Sequence, residues 1–224
     1  MKTSMKTFHA LLFTSVLVAG PVSAQMSTPA ATDAEKEAFY AQTIENRTLD
    51  ILKAVSIADA AKSNAVHDVI VAQYHALRVR DAAIDTRLKV DGKEVNYANR
   101  AAQLAVQSKP LHDQFLAKLA ESLTPEQVEK VKDLMTYNKV KVTYDGYCAI
   151  VPNLTDAEKA KILELLKLAR EEAIDGGNAP EKSAIFQKYK DQINAYLNAQ
   201  GHDTAAAFKD WIAKHPDTNS PVAK

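Results

Sequence analysis

The chain has little cysteine and little glycine: one cysteine and six glycines in 224 residues. A single cysteine excludes an internal disulfide, so the stability of the fold has to come from its apolar core. Six glycines are few for a protein built on tight hairpins, because hairpin turns call for glycine at positive φ. Ala, Leu, Lys, Glu and Gln are plentiful instead, and these residues favour helices. The composition therefore predicts an all-α fold.

The chain also lacks net charge, since 28 Asp and Glu residues balance 28 Lys and Arg residues. A general nucleic-acid binder needs a basic face to displace counterions, so we expect no nucleic-acid partner. Hydrophobic residues at 46% and charged residues at 25% are typical of a globular protein. A chain of this length is expected to bury one core as a single domain.

The most apolar run of the chain lies at its amino terminus. Two lysines precede an apolar stretch over residues 8–19, and Pro21 and the small residues at 22–24 follow. This order is typical of a signal peptide over residues 1–24 that is cleaved after Ala24. About 12 apolar residues are too few to span a bilayer, which needs about 20. We therefore expect an exported protein, periplasmic or extracellular, that has no membrane contact after cleavage and a net charge of −2.

Apolar residues recur at spacings of three and four along the mature chain, which predicts a compact bundle of about seven amphipathic helices. A flexible leader over 25–33, a helical domain over 34–215 and a loose tail over 216–224 are expected. Pro110 is expected to kink the third helix or to begin its second half. The predicted helices cover residues 34–55, 59–88 (followed by a turn at 90–93), 97–122, 124–135, 155–175, 181–199 and a short segment around Trp211.

Two short patterns mark helix starts, and one segment between them is less regular. Thr124-Pro-Glu-Gln and Thr155-Asp-Ala-Glu are capping boxes. Between them, residues 139–143 (Lys-Val-Lys-Val-Thr) alternate like a strand, but a lone strand has no partner. We interpret this segment as a connector between helices. Cys148 follows it and is expected to be buried rather than reactive, because free cysteine is among the most buried residue types.

The sequence contains no motif for a metal or a cofactor. There is no glycine-rich phosphate loop, nucleophile elbow or nucleotide fingerprint. The mature histidines stand in no metal-ligand spacing, and His67 and His75 would need ligands from another helix to share a metal. We expect solvated or partly buried histidines, no metal and no cofactor. The five are His67, His75, His112, His202 and His215.

Three tyrosines surround the predicted connector, at Tyr137, Tyr144 and Tyr147. Their ring faces and hydroxyl groups would suit a sugar, which is held by stacking together with hydrogen bonds. The alternative is a half-buried tyrosine layer that seals the junction between two helices. The first interpretation makes all three tyrosines ligand-binding candidates.

A second polar cluster follows along the chain. Glu171 and Asp175 are four residues apart and share a helix face, where a cation would relieve their repulsion. Lys188, Lys190 or a bound ion could supply that cation. One interpretation is a carboxylate pair for acid–base catalysis, with Glu171 and Asp175 as the catalytic candidates; the other is a solvated, charged helix end. The ligand-binding candidates of this cluster are Arg170, Lys188, Tyr189, Lys190 and Asn194.

Several motifs follow one another between Leu123 and Asp203: Leu123-Thr-Pro-Glu-Gln-Val, Met135-Thr-Tyr, Val142-Thr-Tyr, Ile150-Val-Pro-x-Leu-Thr, Ala169-Arg-Glu-x-Ala-x-Asp and Phe186-x-Lys-Tyr-Lys. In this order they resemble domain-of-unknown-function family 3826, found in exported proteins of bacteria that degrade polysaccharides. The resemblance covers most of the mature chain. It implies a role around glycan breakdown, but neither a reaction nor catalytic residues. Asp191 and Ala195 stand where the family usually has Gly and Asn.

A second resemblance rests on Leu123-Thr-x-x-Gln, the repeated pattern of periplasmic cradle chaperones, although Leu154-Thr-x-x-Glu has Glu in place of Gln. The leading expectation is therefore an exported protein that binds carbohydrate or assists polysaccharide breakdown, with a glycan as its partner. An ATP-independent chaperone and a glycan-active enzyme that uses the carboxylate pair are the alternatives. No residue pattern fixes an oligomeric state.

Overall fold

The computed structural model describes residues 32–89 and 97–216, which form eight helices and no β-strand. The all-α prediction is confirmed. None of the described helices has the length and apolar character needed to cross a membrane. The predicted signal peptide, most of the leader, the turn at 90–93 and the tail from 217 lie outside the described residues. The helices are α1 Asp33–Val55, α2 Ala60–Leu88, α3 Tyr97–Ala120, α4 Pro125–Met135, α5 Lys139–Ile150, α6 Asp156–Ala173, α7 Ala179–Ala199 and α8 Thr204–Lys214.

Local hydrogen bonds explain where several helices begin. Thr124 and Thr155 cap α4 and α6 in complete capping boxes, as predicted. Thr32 and Glu35 form a further capping box at the start of α1. The carboxylate of Asp59 caps α2. Because each of these contacts joins residues three positions apart, the sequence alone carries enough information to place these helix starts.

The segment interpreted as a connector is in fact helical, and that interpretation is wrong. Residues 139–143 begin α5, whose buried side chains Val140, Thr143, Tyr147 and Ile150 recur at spacings of three and four. Five alternating residues are too few to distinguish a strand from one face of a helix. The reversal between α4 and α5 is tight, because Tyr137 and Asn138 both adopt positive φ, at 59° and 54°.

Cys148 is exposed, so the expectation that it is buried is wrong. It follows the buried Tyr147 by one residue, which places its side chain about 100° further round α5, outside the buried stripe. The position of Cys148 on the exposed face of α5 therefore outweighs the general preference of cysteine for burial.

Buried apolar side chains form two clusters that correspond to the two halves of the chain. Helices α1 to α4 contribute the first, which includes Ile70 and Phe115. Helices α5 to α7, with the connection between α5 and α6, contribute the second, which includes Ile162 and Phe186, and residues of α8 pack against it. Ile174, directly after α6, is buried in the first cluster. The end of α6 therefore reaches from one half of the molecule into the other. Pro110 lies inside α3 without ending it.

Candidate functional site

A cleft of about 620 Å³ lies between α3 and α7, beside the end of α6. Its volume falls within the range of small-molecule sites, about 300–1,000 Å³. Leu104 and Ala105 of α3 and Ile185 of α7 contribute an apolar wall, and His112, Asp175 and five further charged side chains contribute polar groups. An apolar wall with a few fixed polar groups is the usual composition of a ligand site.

The imidazole of His112 lies between the two carboxylates that the sequence singled out. Its Nδ1 is 3.0 Å from Oδ2 of Asp175, and its Nε2 is 4.0 Å from Oε2 of Glu171. The hydrogen bond to Asp175 raises the pKa of His112, burial opposes this rise, and the negative charges of both carboxylates add to it. His112 thus stands between the two carboxylates, and its raised pKa favours the imidazolium form there.

Glu171 is held from its other side by two cations. Its Oε1 accepts hydrogen bonds from Lys132 at 2.8 Å and from Arg170 at 3.1 Å. Arg170 is only 3% exposed and also donates to Asp133, at 2.6 Å, and to Glu129. Burial opposes the charge of Arg170, but its hydrogen bonds to these two carboxylates outweigh burial and raise its pKa.

The end of α6 is solvated only in part, since Glu172 is exposed and the side chain of Glu171 is 33% exposed. Arg170 and Asp175 are both buried, at 3% and 8% exposure, and the interpretation as a solvated, charged helix end is wrong for them. The reason is that this end of α6 passes between the two halves of the molecule, where charges are removed from water and have to pair.

Arg80 fixes the backbone beside this site. From α2 it donates to the carbonyl of Asp175 at 2.7 Å and to Oγ of Ser108, on α3, at 3.0 Å. Its remaining hydrogen bonds, at 2.9 and 2.7 Å, go to Oδ1 of Asp81. One buried guanidinium thus ties α2, α3 and the connection between α6 and α7 together.

Gly177 allows that connection to approach α2 closely. A Cβ atom at this position would lie 1.7 Å from Oδ2 of Asp81. The amide of Gly177 donates to Oε2 of Glu181 at 2.9 Å, and Oε1 of Glu181 accepts from Arg100 at 2.5 Å. Gly176, the preceding residue, lines the cleft together with Glu181 and Arg100.

Some of the predicted ligand-binding residues lie near this cleft. Glu172 lines the cleft and accepts hydrogen bonds from Nζ of Lys188, at 2.6 Å, and from the hydroxyl of Tyr189, at 3.2 Å. Arg170 reaches the site through Glu171. Lys188, which was considered as the cation between Glu171 and Asp175, thus pairs with the neighbouring carboxylate Glu172 instead.

The other predicted residues lie elsewhere. Tyr147, Lys190 and Asn194 line a smaller cavity of about 230 Å³ next to α8. The hydroxyl of Tyr147 donates to Oδ1 of Asn194 at 2.9 Å, and burial raises its pKa. Tyr144 packs half-buried against the second core cluster, and Tyr137 lies partly exposed in the turn between α4 and α5. The three tyrosines therefore do not converge on one surface.

Sequence reasoning missed His112 and Arg80 as site residues. A signal for Arg80 was present, because this residue stands between Leu77 and Ile84 on the buried stripe of α2. A charged residue on such a stripe indicates a buried partner. Nothing in the spacing around His112 linked it to Asp175, which is 63 residues further along the chain.

The fold and the site together define a class of protein: an all-helical protein whose two apolar clusters are joined by a buried network of histidine, carboxylates and arginines beside a cleft. The family described as "Protein of unknown function (DUF3826)" matches residues 41–216. The chain belongs to this family, and the resemblance drawn from the sequence is confirmed. No curated protein matches the chain. Within residues 32–89 and 97–216, no group of three or more His, Cys, Asp or Glu side chains could hold a metal ion.

The raised pKa of His112 predicts how stability depends on pH. Since the folded-state pKa lies above the ordinary value of 6.5, the stabilisation by the imidazolium is complete below about pH 6.5. It is lost as the pH rises through the folded-state pKa. We expect the free energy of unfolding, measured by urea denaturation between about pH 5.5 and pH 7.5, to fall less with pH in His112→Gln than in the unchanged protein.

Two other groups define the controls for this measurement. His67 also has a raised pKa, mainly through its hydrogen bond to Asp68, so it too contributes to the pH dependence of stability. His67→Gln is the matched variant that measures this second contribution separately. Burial lowers the pKa of Lys182 to about 8. This shift makes the folded state more stable as the pH rises above that value, so the measurement stays below it. Identical pH profiles for His112→Gln and the unchanged protein would contradict the assignment.

Proposed function

We propose that the protein is exported and binds a carbohydrate in the cleft between α3 and α7, as an accessory to polysaccharide breakdown. The observation that carries the proposal is the fixed His112–Asp175 pair beside an apolar wall. A sugar combines apolar C–H faces with hydroxyl groups that both donate and accept hydrogen bonds. Leu104 and Ile185 suit the first, while imidazole and carboxylate groups suit the second.

The sequence supports the proposed location of this activity outside the cytoplasm. Residues 1–24 have the order of a cleaved signal peptide, which supports the proposal that the protein is exported. The family that the chain resembles is found in exported proteins of polysaccharide-degrading bacteria. A soluble glycan is a ligand that such a compartment offers.

The geometry favours binding over hydrolysis by the carboxylate pair. Glycosidases place two carboxyl groups on either side of the scissile bond, with the sugar or a water between them. Here the ring of His112 lies between Glu171 and Asp175. Glu171 is in addition held by Lys132 and Arg170. We therefore assign His112 and Asp175 to the orientation of ligand hydroxyl groups.

Calorimetry on the mature protein tests the proposal. The mature chain is expected to begin at Gln25. The titrants are plant and algal oligosaccharides at millimolar concentration. Ala105→Trp fills the cleft from an exposed position of α3 and is expected to weaken binding at least tenfold, about 1.4 kcal/mol. Ala117→Trp, equally exposed on the same helix but outside the cleft, should bind like the unchanged protein.

Two results would contradict the proposal. One is the absence of heat with every oligosaccharide. The other is equal affinity in Ala105→Trp and Ala117→Trp, which would place the ligand outside the cleft. Far-UV circular dichroism of both variants establishes that the helices are intact.

A further inference from the structure

A second and larger concavity lies apart from the cleft. This groove, of about 970 Å³, runs between α8 and the connection that joins α5 to α6, and it shares no lining residue with the cleft. The end of α5 and residues 151–154 form one side, and Trp211 and Lys214 of α8 lie on the other. Its volume again falls in the range of ligand sites, about 300–1,000 Å³.

Trp211, the single tryptophan of the chain, lies in this groove and is half-buried. Its ring stacks on that of His215, with ring centres 4.5 Å apart and planes 19° from parallel. Nδ1 of His215 lies 2.9 Å from the carbonyl of Trp211, so the stack is fixed within the last turn of α8. Trp211 also packs against the second core cluster. The groove thus contains a fixed Trp211–His215 pair, in which His215 covers one face of the indole ring.

The polar side chains around Trp211 are mixed in charge. Asp203 and Asp210 contribute carboxylates, and Lys159 and Lys214 contribute ammonium groups. Asn153, which can both donate and accept hydrogen bonds, lies in the connection at φ 59°. The lining thus combines hydrogen-bond donors and acceptors, with equal numbers of Asp and Lys side chains, which suits a neutral, polyhydroxylated ligand.

We propose that this groove is a second carbohydrate site, in which a neutral sugar ring packs against the Trp211–His215 pair and its hydroxyl groups bind the surrounding side chains. An aromatic face with hydrogen-bonding groups at its edge matches the two kinds of surface of a sugar ring. The choice of ligand class rests on the proposed function, but the site itself does not. Together with the cleft, the groove would let one protein hold a polysaccharide at two points, which raises the overall affinity.

Tryptophan fluorescence tests this site directly, because the one tryptophan reports the groove alone. We expect neutral oligosaccharides to change the emission of Trp211 in a saturable way, both in the unchanged protein and in Ala105→Phe, which fills the cleft without adding a second tryptophan. Ala149→Arg places a long side chain in the groove from an exposed position of α5 and should weaken this response at least tenfold. Ala213→Arg, exposed on α8 but outside the groove, should leave the response unchanged.

The outcomes separate the two sites. Calorimetric binding that Ala105→Trp weakens, with no change in Trp211 emission, would overturn the second site and leave the cleft proposal standing. An emission change that disappears in Ala105→Phe would show that Trp211 reports the cleft, and would also overturn the second site. An emission change that Ala149→Arg removes and Ala105→Phe keeps supports the groove, even if the cleft binds nothing.

Discussion

Replacing Arg80 with methionine is expected to lower the free energy of unfolding by about 3 kcal/mol. Arg80 is 5% exposed, and methionine fills a similar volume without its hydrogen bonds. The change leaves the carbonyl of Asp175 and the hydroxyl of Ser108 without their donor. It also leaves the carboxylate of Asp81 buried, with Arg100 at 3.8 Å as its remaining cation. A carboxylate that is mostly removed from water and has lost its closest cation accounts for most of the expected loss.

The dependence of this loss on pH identifies its cause. Burial raises the pKa of Asp81, and Arg80 opposes that rise. Without Arg80 the folded-state pKa of Asp81 rises further above its unfolded value. The cost of the ionised carboxylate is then present at neutral pH and is relieved as the pH falls through the folded-state pKa. The difference between Arg80→Met and the unchanged protein should therefore shrink on acidification.

Urea denaturation at several pH values measures this effect. Arg87→Met is the matched control, because Arg87 is exposed on the same helix and its change should stay within about 0.5 kcal/mol. A loss in Arg80→Met no larger than in Arg87→Met, or a loss that is the same at every pH, would contradict the role of Arg80.

The fold was predictable where the determining contacts are local. The capping boxes at Thr124 and Thr155 join residues three apart, and the apolar stripes repeat every three or four residues. The helical state of residues 139–143 was not predicted from local patterns. Their β-branched residues favour strands, and the segment is helical because it packs against α6 and α7. The exposure of Cys148 was not predicted either, because it depends on which face of α5 packs against the core.

The site was predictable only in part, because its partners come from distant parts of the chain. The spacing of Glu171 and Asp175 predicted a cation near both carboxylates, but it named Lys188, Lys190 or a bound ion for that place. The residue that lies there, His112, stands 63 residues before Asp175, and the guanidinium that fixes the backbone of Asp175 stands 95 residues before it. Such pairings depend on how α2 and α3 pack against the end of α6, which no local pattern encodes.

Replacing Arg170 with methionine is expected to cost about 2–3 kcal/mol. Arg170 links α6 to Asp133 and Glu129 of α4, and so joins the two halves of the molecule. The cost is smaller than for a fully buried pair, since Asp133 and Glu129 are 36% and 46% exposed and water replaces part of the interaction. Lys132 also remains beside Glu129 and Glu171.

Arg170→Lys separates charge from geometry. Lysine keeps the positive charge but cannot hold several carboxylates with the fixed fork of a guanidinium. We therefore expect it to recover less than half of the stability lost in Arg170→Met, as measured by urea denaturation. Lys167→Met, exposed one turn earlier on α6, is the control and should change stability by no more than about 0.5 kcal/mol. Full recovery in Arg170→Lys would contradict the importance of the guanidinium geometry, because charge alone would then suffice to hold α4 against α6.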